Sequence, residues 1–167
     1  MRKKIIAIDP GDVESAYVMW DGENILEFDK IENERLLTRL SHYEIVEDPF
    51  LVTVVIEKIA SYGMPVGKHI FETVFWTGRF YDKFINWTNV ERHPRKDVKM
   101  HICGATKATD TTIVTALVDR FADRHEHGKH GKGTRKNQGF FYGFSKDIWQ
   151  AFALAVYYYD TFVKNGN

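Results

Sequence analysis

Ile5-Ile6-Ala7-Ile8-Asp9-Pro10-Gly11 is the stretch from which the rest of the chain is read. Ile5 to Ile8 is a short apolar run rich in β-branched residues, the signature of a buried strand. Pro10-Gly11 stops it. Proline fixes its own φ and has no N–H to give, and glycine admits backbone shapes that other residues avoid. Asp9 therefore stands where a buried strand gives way to a turn.

The segments that follow extend this opening. Ser15 to Trp20 reads as a second strand, Asp21-Gly22 as a hairpin turn, and Asn24 to Phe28 as a third strand. Together they predict a three-stranded antiparallel meander. Ile31 to Tyr43 places Ile31, Leu36, Leu37 and Leu40 among charged residues, which predicts an amphipathic helix. Beyond Pro49, Phe50 to Ile56 is almost unbroken in its apolarity and suits a central strand buried on both faces. It ends at Glu57.

The second half alternates in type. A helix is predicted from near Pro65, with Val66, Ile70, Val74 and Phe75 at helical spacing. Val90 to Cys103 reads as extended and basic. Asp110 is placed to cap a helix whose Ile113, Val114, Leu117, Val118 and Phe121 share a face. His125 to Gly139 has no apolar residue and reads as a mobile basic loop. Ser145 is placed to cap a last helix carrying Ile148, Trp149, Phe152, Val156 and Tyr159. The expected fold class is α/β, a mixed sheet flanked by helices. With no internal repeat or linker, residues 1–167 are expected to form one domain.

Composition narrows the function classes. The 167 residues suffice for a proper core, and 44% hydrophobic with 28% charged residues is a globular balance. The 23 basic and 23 acidic residues cancel, which weighs against a uniformly basic nucleic-acid binder. Their distribution is uneven, however: basic residues gather in Arg92 to Lys107 and Arg124 to Lys136, acidic ones before residue 60. Cys103 is the only cysteine, so no intramolecular disulfide forms and a reducing cytoplasm is the expected compartment. The first apolar run ends at Asp9, too short for a signal peptide, and no stretch approaches the roughly 20 apolar residues of a membrane span.

Three carboxylates hold special positions. Asp9 ends the first strand, Glu57 ends the buried fourth strand, and Asp147 lies in the first turn of the last helix. If the first and fourth strands are neighbours, Asp9 and Glu57 emerge side by side, and the last helix can bring Asp147 to them. Clustered carboxylates repel unless cations neutralise them, and Mg²⁺ or Mn²⁺ prefers such oxygen ligands. A pair of ions about 3.5–4 Å apart suits phosphodiester cleavage. Each acid also has a plain structural reading: a turn acid, a solvated strand end, a partner for a helix dipole.

Other motifs carry less. His125, His127 and His130 with Cys103 lack the paired ligand spacing of a structural zinc site. Gly128 to Thr134 has the glycines of a phosphate loop but Thr134 where its lysine belongs, and no strand before it. Cys103 as a nucleophile needs an activating base; His101 is two residues away, and packing is the favoured role.

The opening Ile5-Ile6-Ala7-Ile8-Asp9-Pro10-Gly11 resembles the first strand of RuvC-type Holliday-junction resolvases, and Val54-Val55-Ile56-Glu57 resembles their second acidic strand. Segments 59–64, 76–80, 101–104, 116–121 and Tyr142-Gly143 are similar to the bacteriophage-type branch of that family. Asp147 to Ala155 resembles its closing acidic helix. The resemblance runs in order along nearly the whole chain. It implies an RNase H-like fold with a mixed five-stranded sheet, its first three strands antiparallel. It also implies a homodimer nicking branched DNA, with two Mg²⁺ or Mn²⁺ ions per site and no organic cofactor. By position, Asp9, Glu57 and Asp147 become metal ligands, and Lys99 the basic residue beside the scissile phosphate.

Two departures stand out. Gln150 occupies the i+3 place where the family often has a fourth acid, leaving an amide oxygen as a neutral ligand unless Asp110 or Asp12 helps. Asp110 stands where a second basic residue is expected, with Lys107 nearby. The expected DNA contacts are Arg92, Arg95, Lys96 and Lys107 on the first basic stretch, Lys129, Lys132, Arg135 and Lys136 on the loop, and Tyr62 as a ring to stack on an unpaired base. Two alternatives remain open: a nuclease for flaps, single strands or RNA–DNA hybrids, and a non-catalytic junction-binding protein.

Overall fold

The computed structural model describes residues 2–61, 63 and 65–164. Strands β1 (Lys4–Asp9), β2 (Glu14–Trp20) and β3 (Ile25–Glu32) form the expected antiparallel meander. Helices α1 (Asn33–Ser41) and α2 (Tyr43–Val46) follow, then β4 (Val52–Lys58), α3 (Lys68–Ile85) and β5 (Asn89–Pro94). The chain closes with α4 (Arg95–Cys103), α5 (Asp110–Phe121), α6 (Arg124–His127) and α7 (Ile148–Tyr158), which runs on into a π-helical turn at Tyr159–Val163. The sheet has five strands in the order β3-β2-β1-β4-β5, with β4 parallel to β1 and β5 parallel to β4.

Strand alternation sorts the core into two layers. Ile6, Ile8, Val54 and Ile56 face α1 and α3, meeting Leu36, Leu40, Phe80 and Phe84. Ile5, Ala7, Ala16, Val18 and Val55 face α5 and α7. That second layer is thick with rings: Trp20, Phe121, Phe141 and Phe144 all pack edge-on against Phe152 of α7. Most aromatic rings among the described residues thus belong to the core or pack against it.

The Asp-Pro-Gly turn after β1 is clamped by a buried polar relay. The Gly11 N–H donates to Ser15 Oγ (3.1 Å), Ser15 donates to Asn33 Oδ1 (2.6 Å), and Asn33 Nδ2 donates back to the Gly11 carbonyl (3.1 Å). Only glycine fits at position 11, because a Cβ there would lie 2.1 Å from the Glu14 carbonyl oxygen. The sequence that ends β1 therefore also fixes the backbone beside Asp9.

Several sequence expectations are corrected. Val90 to Cys103 is not one extended segment: β5 ends at Pro94 and α4 begins at Arg95. Val98, Met100 and Ile102 alternate like a strand, but Pro94 sits at the helix start with φ −74° and Gly104 closes it in the left-handed conformation at φ 70°. α3 begins at Lys68, and its buried face is Thr73, Thr77, Phe80 and Phe84. Val74 and Phe75, expected inside, are 50% and 57% exposed, because this helix carries apolar residues on two faces and the sheet takes the other one. β3 runs past Phe28 to Glu32, so Ile31 is in a strand.

The helix caps also shift. Thr109, not Asp110, caps α5, its side chain accepting from the Thr112 N–H. α7 starts at Ile148, with Asp147 rather than Ser145 at the cap position.

The expected mobile basic loop is a folded one. Asp123 caps α6, Gly133 N–H donates to the His127 carbonyl (2.9 Å), Thr134 N–H to Asn137 (2.8 Å), and Phe141 N–H to Gly131 (3.1 Å). Lack of apolar residues meant only that the segment adds little core. Its glycines let the backbone bond to itself: Gly131 has φ 60°, and a Cβ there would meet the Ala122 Cβ at 2.1 Å.

Candidate active site

One transverse row of residues crosses the α7 side of the sheet. Asp9 is registered with Ala16, and Ala16 with Lys30. The parallel register of β1 and β4 runs to Ile8 opposite Ile56, so Asp9 and Glu57 follow as neighbours. Glu57 is registered with His93 on β5. Side chains at one level of a sheet share a face. Lys30, Ala16, Asp9, Glu57 and His93 therefore line up beneath the start of α7.

Asp147 reaches this row from above. The residue before it, Lys146, has φ 42°, a left-handed conformation that costs a non-glycine residue on the order of 1 kcal/mol. That turn delivers the chain into α7. The Asp147 side chain makes no cap hydrogen bond to the helix. It accepts instead from Lys30 Nζ, at 2.5 Å.

Two cations hold the outer acids. Lys30 holds Asp147, and Arg95 spans Glu57 (3.6 Å) and Asp110 (2.7 Å). Asp9 lies between, and its carboxyl is pushed well above the ordinary range. Burial is the main cause; the negative charges of Glu57 and Asp147 add to it, and Arg95 and Lys30 oppose it only in part. Glu57, 7% exposed, is also raised by burial, against the pull of Arg95 and Lys99. Lys30 is held above the usual lysine range by its bond to Asp147. Among the described residues, no three His, Cys, Asp or Glu side chains stand close enough to hold one ion as they lie. The acids converge electrostatically while Asp147 and Glu57 lean on cations.

Gln150 is buried, one turn along α7 from Asp147. Both line a cleft of about 320 Å³ with Asp110, His130 and Lys132. Asp110, Asp147 and Gln150 offer the oxygen donors that a hard divalent cation prefers, and His130 adds an imidazole.

The expected basic contacts separate. Lys99 acts on Glu57 from α4, Arg95 is inside the acid cluster, and Lys132 lines the cleft. Lys107, Lys129, Arg135 and Lys136 are exposed, the last three on the folded loop, and Lys96 is on the outer side of α4. Arg92 alternates with Glu91 and His93, so it projects from the opposite face of the sheet, over the Tyr81 ring at 5.0 Å. Tyr62 lies outside the described residues. Cys103 packs against the core and its thiol is pushed up by burial, the packing role expected for it.

Lys30 escaped the sequence reading, and His130 entered it only within a weak zinc reading. Lys30 was legible in principle: alternation from Phe28 puts it on the core-facing side of β3, where an unpaired lysine is out of place. Ending that strand at Phe28 hid it. The fold of the loop brings His130 to the cleft beside Asp147, a place its spacing to His125 and His127 does not indicate.

No family model and no curated protein matches this chain. Solved structures do. The Thermus thermophilus RuvC structure superposes with a TM-score of 0.62 at 14% identity, covering 94% of this chain and 95% of that one. T. thermophilus RuvC in complex with Holliday junction substrate gives 0.64 at 12% identity, over 94% and 93%. At such identity the likeness establishes the fold: this chain has the RNase H-like architecture of RuvC.

Proposed function

We propose that this chain is a metal-dependent endodeoxyribonuclease that cuts four-way DNA junctions. The observation that carries the reading is the transverse row that sets Asp9 beside Glu57 beneath Asp147. A carboxyl raised by burial and by two neighbouring carboxylates is stabilised by a bound cation, and Asp9, Glu57, Asp147 and Gln150 all offer oxygens. Asp9, Glu57, Asp147 and the Gln150 amide would hold Mg²⁺ or Mn²⁺. Lys30 contacts only Oδ2 of Asp147, whose side chain is 47% exposed, so Oδ1 would be the oxygen it offers to the ion. Such an ion activates water and offsets charge on the phosphoryl oxygens.

The chain's own cations would position the DNA. Lys99 and Lys132 border the acids and can each meet a phosphate, and Lys107, Lys129, Arg135 and Lys136 extend that surface outward. The fold shared with a RuvC that binds a Holliday junction substrate supports a branched partner over a plain duplex.

Paired nicks need two sites, and α3 supports a dimer. Phe71, Val74 and Phe75 form an apolar face, 63%, 50% and 57% exposed. A second copy of this chain is the occupant the reading requires. Phe71→Asp combined with Phe75→Asp is expected to weaken dimerisation at least about a hundredfold, as losing two aromatic anchors does. Sedimentation equilibrium reads it; an unchanged dimer places the contact elsewhere.

Cleavage of a labelled four-way junction with Mg²⁺ or Mn²⁺, beside linear duplex, flap and RNA–DNA hybrid, tests the activity. Paired symmetric nicks in the junction are the expected product. Equal cutting of flap or hybrid replaces the junction assignment with a broader nuclease. Tight junction binding with no cut in either metal leaves a binding protein.

A further inference from the structure

Lys30 reaches the acid cluster from β3. Its ammonium contacts Asp147 Oδ2 at 2.5 Å, and its charge also acts on Asp9. It is held there by the sheet: Lys30 and Asp9 flank Ala16 in one registered row. One turn along α7 stands Gln150, neutral where a further acid would add charge.

We propose that Lys30 supplies from within the chain the positive charge of a second metal ion, so that each subunit takes up one divalent cation rather than a pair. The inference rests on the metal-nuclease reading and deepens it.

Lys30 and Arg95 already act on Asp9 against the charges of Glu57 and Asp147, and Lys132 lines the cleft that Asp147 shares with Gln150. A second divalent ion would enter a partly buried site that the chain's own cations already border. Geometry agrees. A second ion needs Asp147 and a neighbouring donor, but Asp147 is bound by Lys30 and Gln150 offers only an uncharged amide oxygen. Lys30 is in this sense a positioning residue: it leaves one carboxylate oxygen of Asp147 for the metal and keeps the other.

Mn²⁺ uptake by the full chain without DNA tests this, counted by electron paramagnetic resonance and calorimetry. Lys30→Met removes the charge and keeps the stem; Lys30→Arg keeps the charge and reports whether the position tolerates change. Thermal unfolding confirms that each variant folds. The expected result is one Mn²⁺ per chain in the wild type and in Lys30→Arg, and two in Lys30→Met. Two ions in the wild type overturn the proposal while leaving the metal-nuclease reading intact. One ion in both wild type and Lys30→Met also overturns it. No Mn²⁺ in any of the three proteins removes the metal site itself, and the proposal with it.

Discussion

Asp9→Asn is expected to lower junction cleavage by roughly 10³-fold or more while raising the melting temperature of the metal-free protein. The first effect follows from the ligand role: a bound ion supplies several kcal/mol to the transition state, and each 1.36 kcal/mol or so is tenfold in rate. The second follows from burial. Asp9 is enclosed, with Glu57 beside it and Asp147 above, and its carboxyl is raised by that enclosure first and by those charges second. Asparagine keeps the shape and removes the charge.

The pH dependence has a definite sign. Because the folded-state pKa of Asp9 is raised, the folded protein keeps this proton to higher pH than the unfolded chain does. The stability tied to it is fully present below the ordinary aspartate value of about 3.9 and is lost as pH rises through the folded value. The advantage of Asp9→Asn over wild type should therefore grow across that window and level off above it. Glu57, raised too, adds a slope of the same sign that both proteins share. Scanning calorimetry in EDTA from pH 4 to 8 reads this, at roughly 2–4 °C per kcal/mol for a chain of this size. Mn²⁺ should then raise the wild-type melting temperature and leave the variant's unchanged. A variant that melts lower than wild type at neutral pH, and still cuts, removes Asp9 from the site.

Phe152→Ala should destabilise the protein by about 3–5 kcal/mol, the cost of emptying a large ring from a packed core. Phe152 is fully buried, and its ring centroid lies 5.3–5.7 Å from those of Phe121, Trp20, Phe141 and Phe144. These come from β2, α5 and the segment leading into α7, so the ring ties three parts of the chain together. A loss of this size lowers the melting temperature by roughly 10 °C. Phe50→Ala, at a position 88% exposed, should stay within about 0.5 kcal/mol. Urea denaturation separates the two, and equal small effects would contradict the assigned core. Phe152 lies on the helix that Asp147 begins, so weaker Mn²⁺ binding by Phe152→Ala is expected as well.

Much of this was open to sequence reading. The meander, the buried β4 and the last helix carry their own signals in apolar runs, turn residues and periodicity. The adjacency of Asp9 and Glu57 hung on whether β1 and β4 are neighbours, a condition that the sheet order meets. Where local reading failed, two local signals competed. Val98, Met100 and Ile102 alternate like a strand inside a helix whose ends are set by Pro94 and Gly104. α3 bears two apolar faces, and periodicity alone does not say which one the sheet will cover. The basic loop has no core residues, yet its glycines let it fold on its own backbone hydrogen bonds.

By itself the sequence determined which carboxylates end buried strands and which turn stops the first of them. These are consequences of side-chain chemistry and short-range backbone preference, and they lie within a few residues of each other. Tertiary structure alone decided what neutralises those acids. The Asp147–Lys30 bond joins residues 117 apart. It depends on strand register across β1, β2 and β3, on the turn at Lys146, and on how α7 lies over the sheet. Register moves every side chain of a strand to one face or the other, so a lysine on β3 becomes part of the site only once the whole sheet is in place.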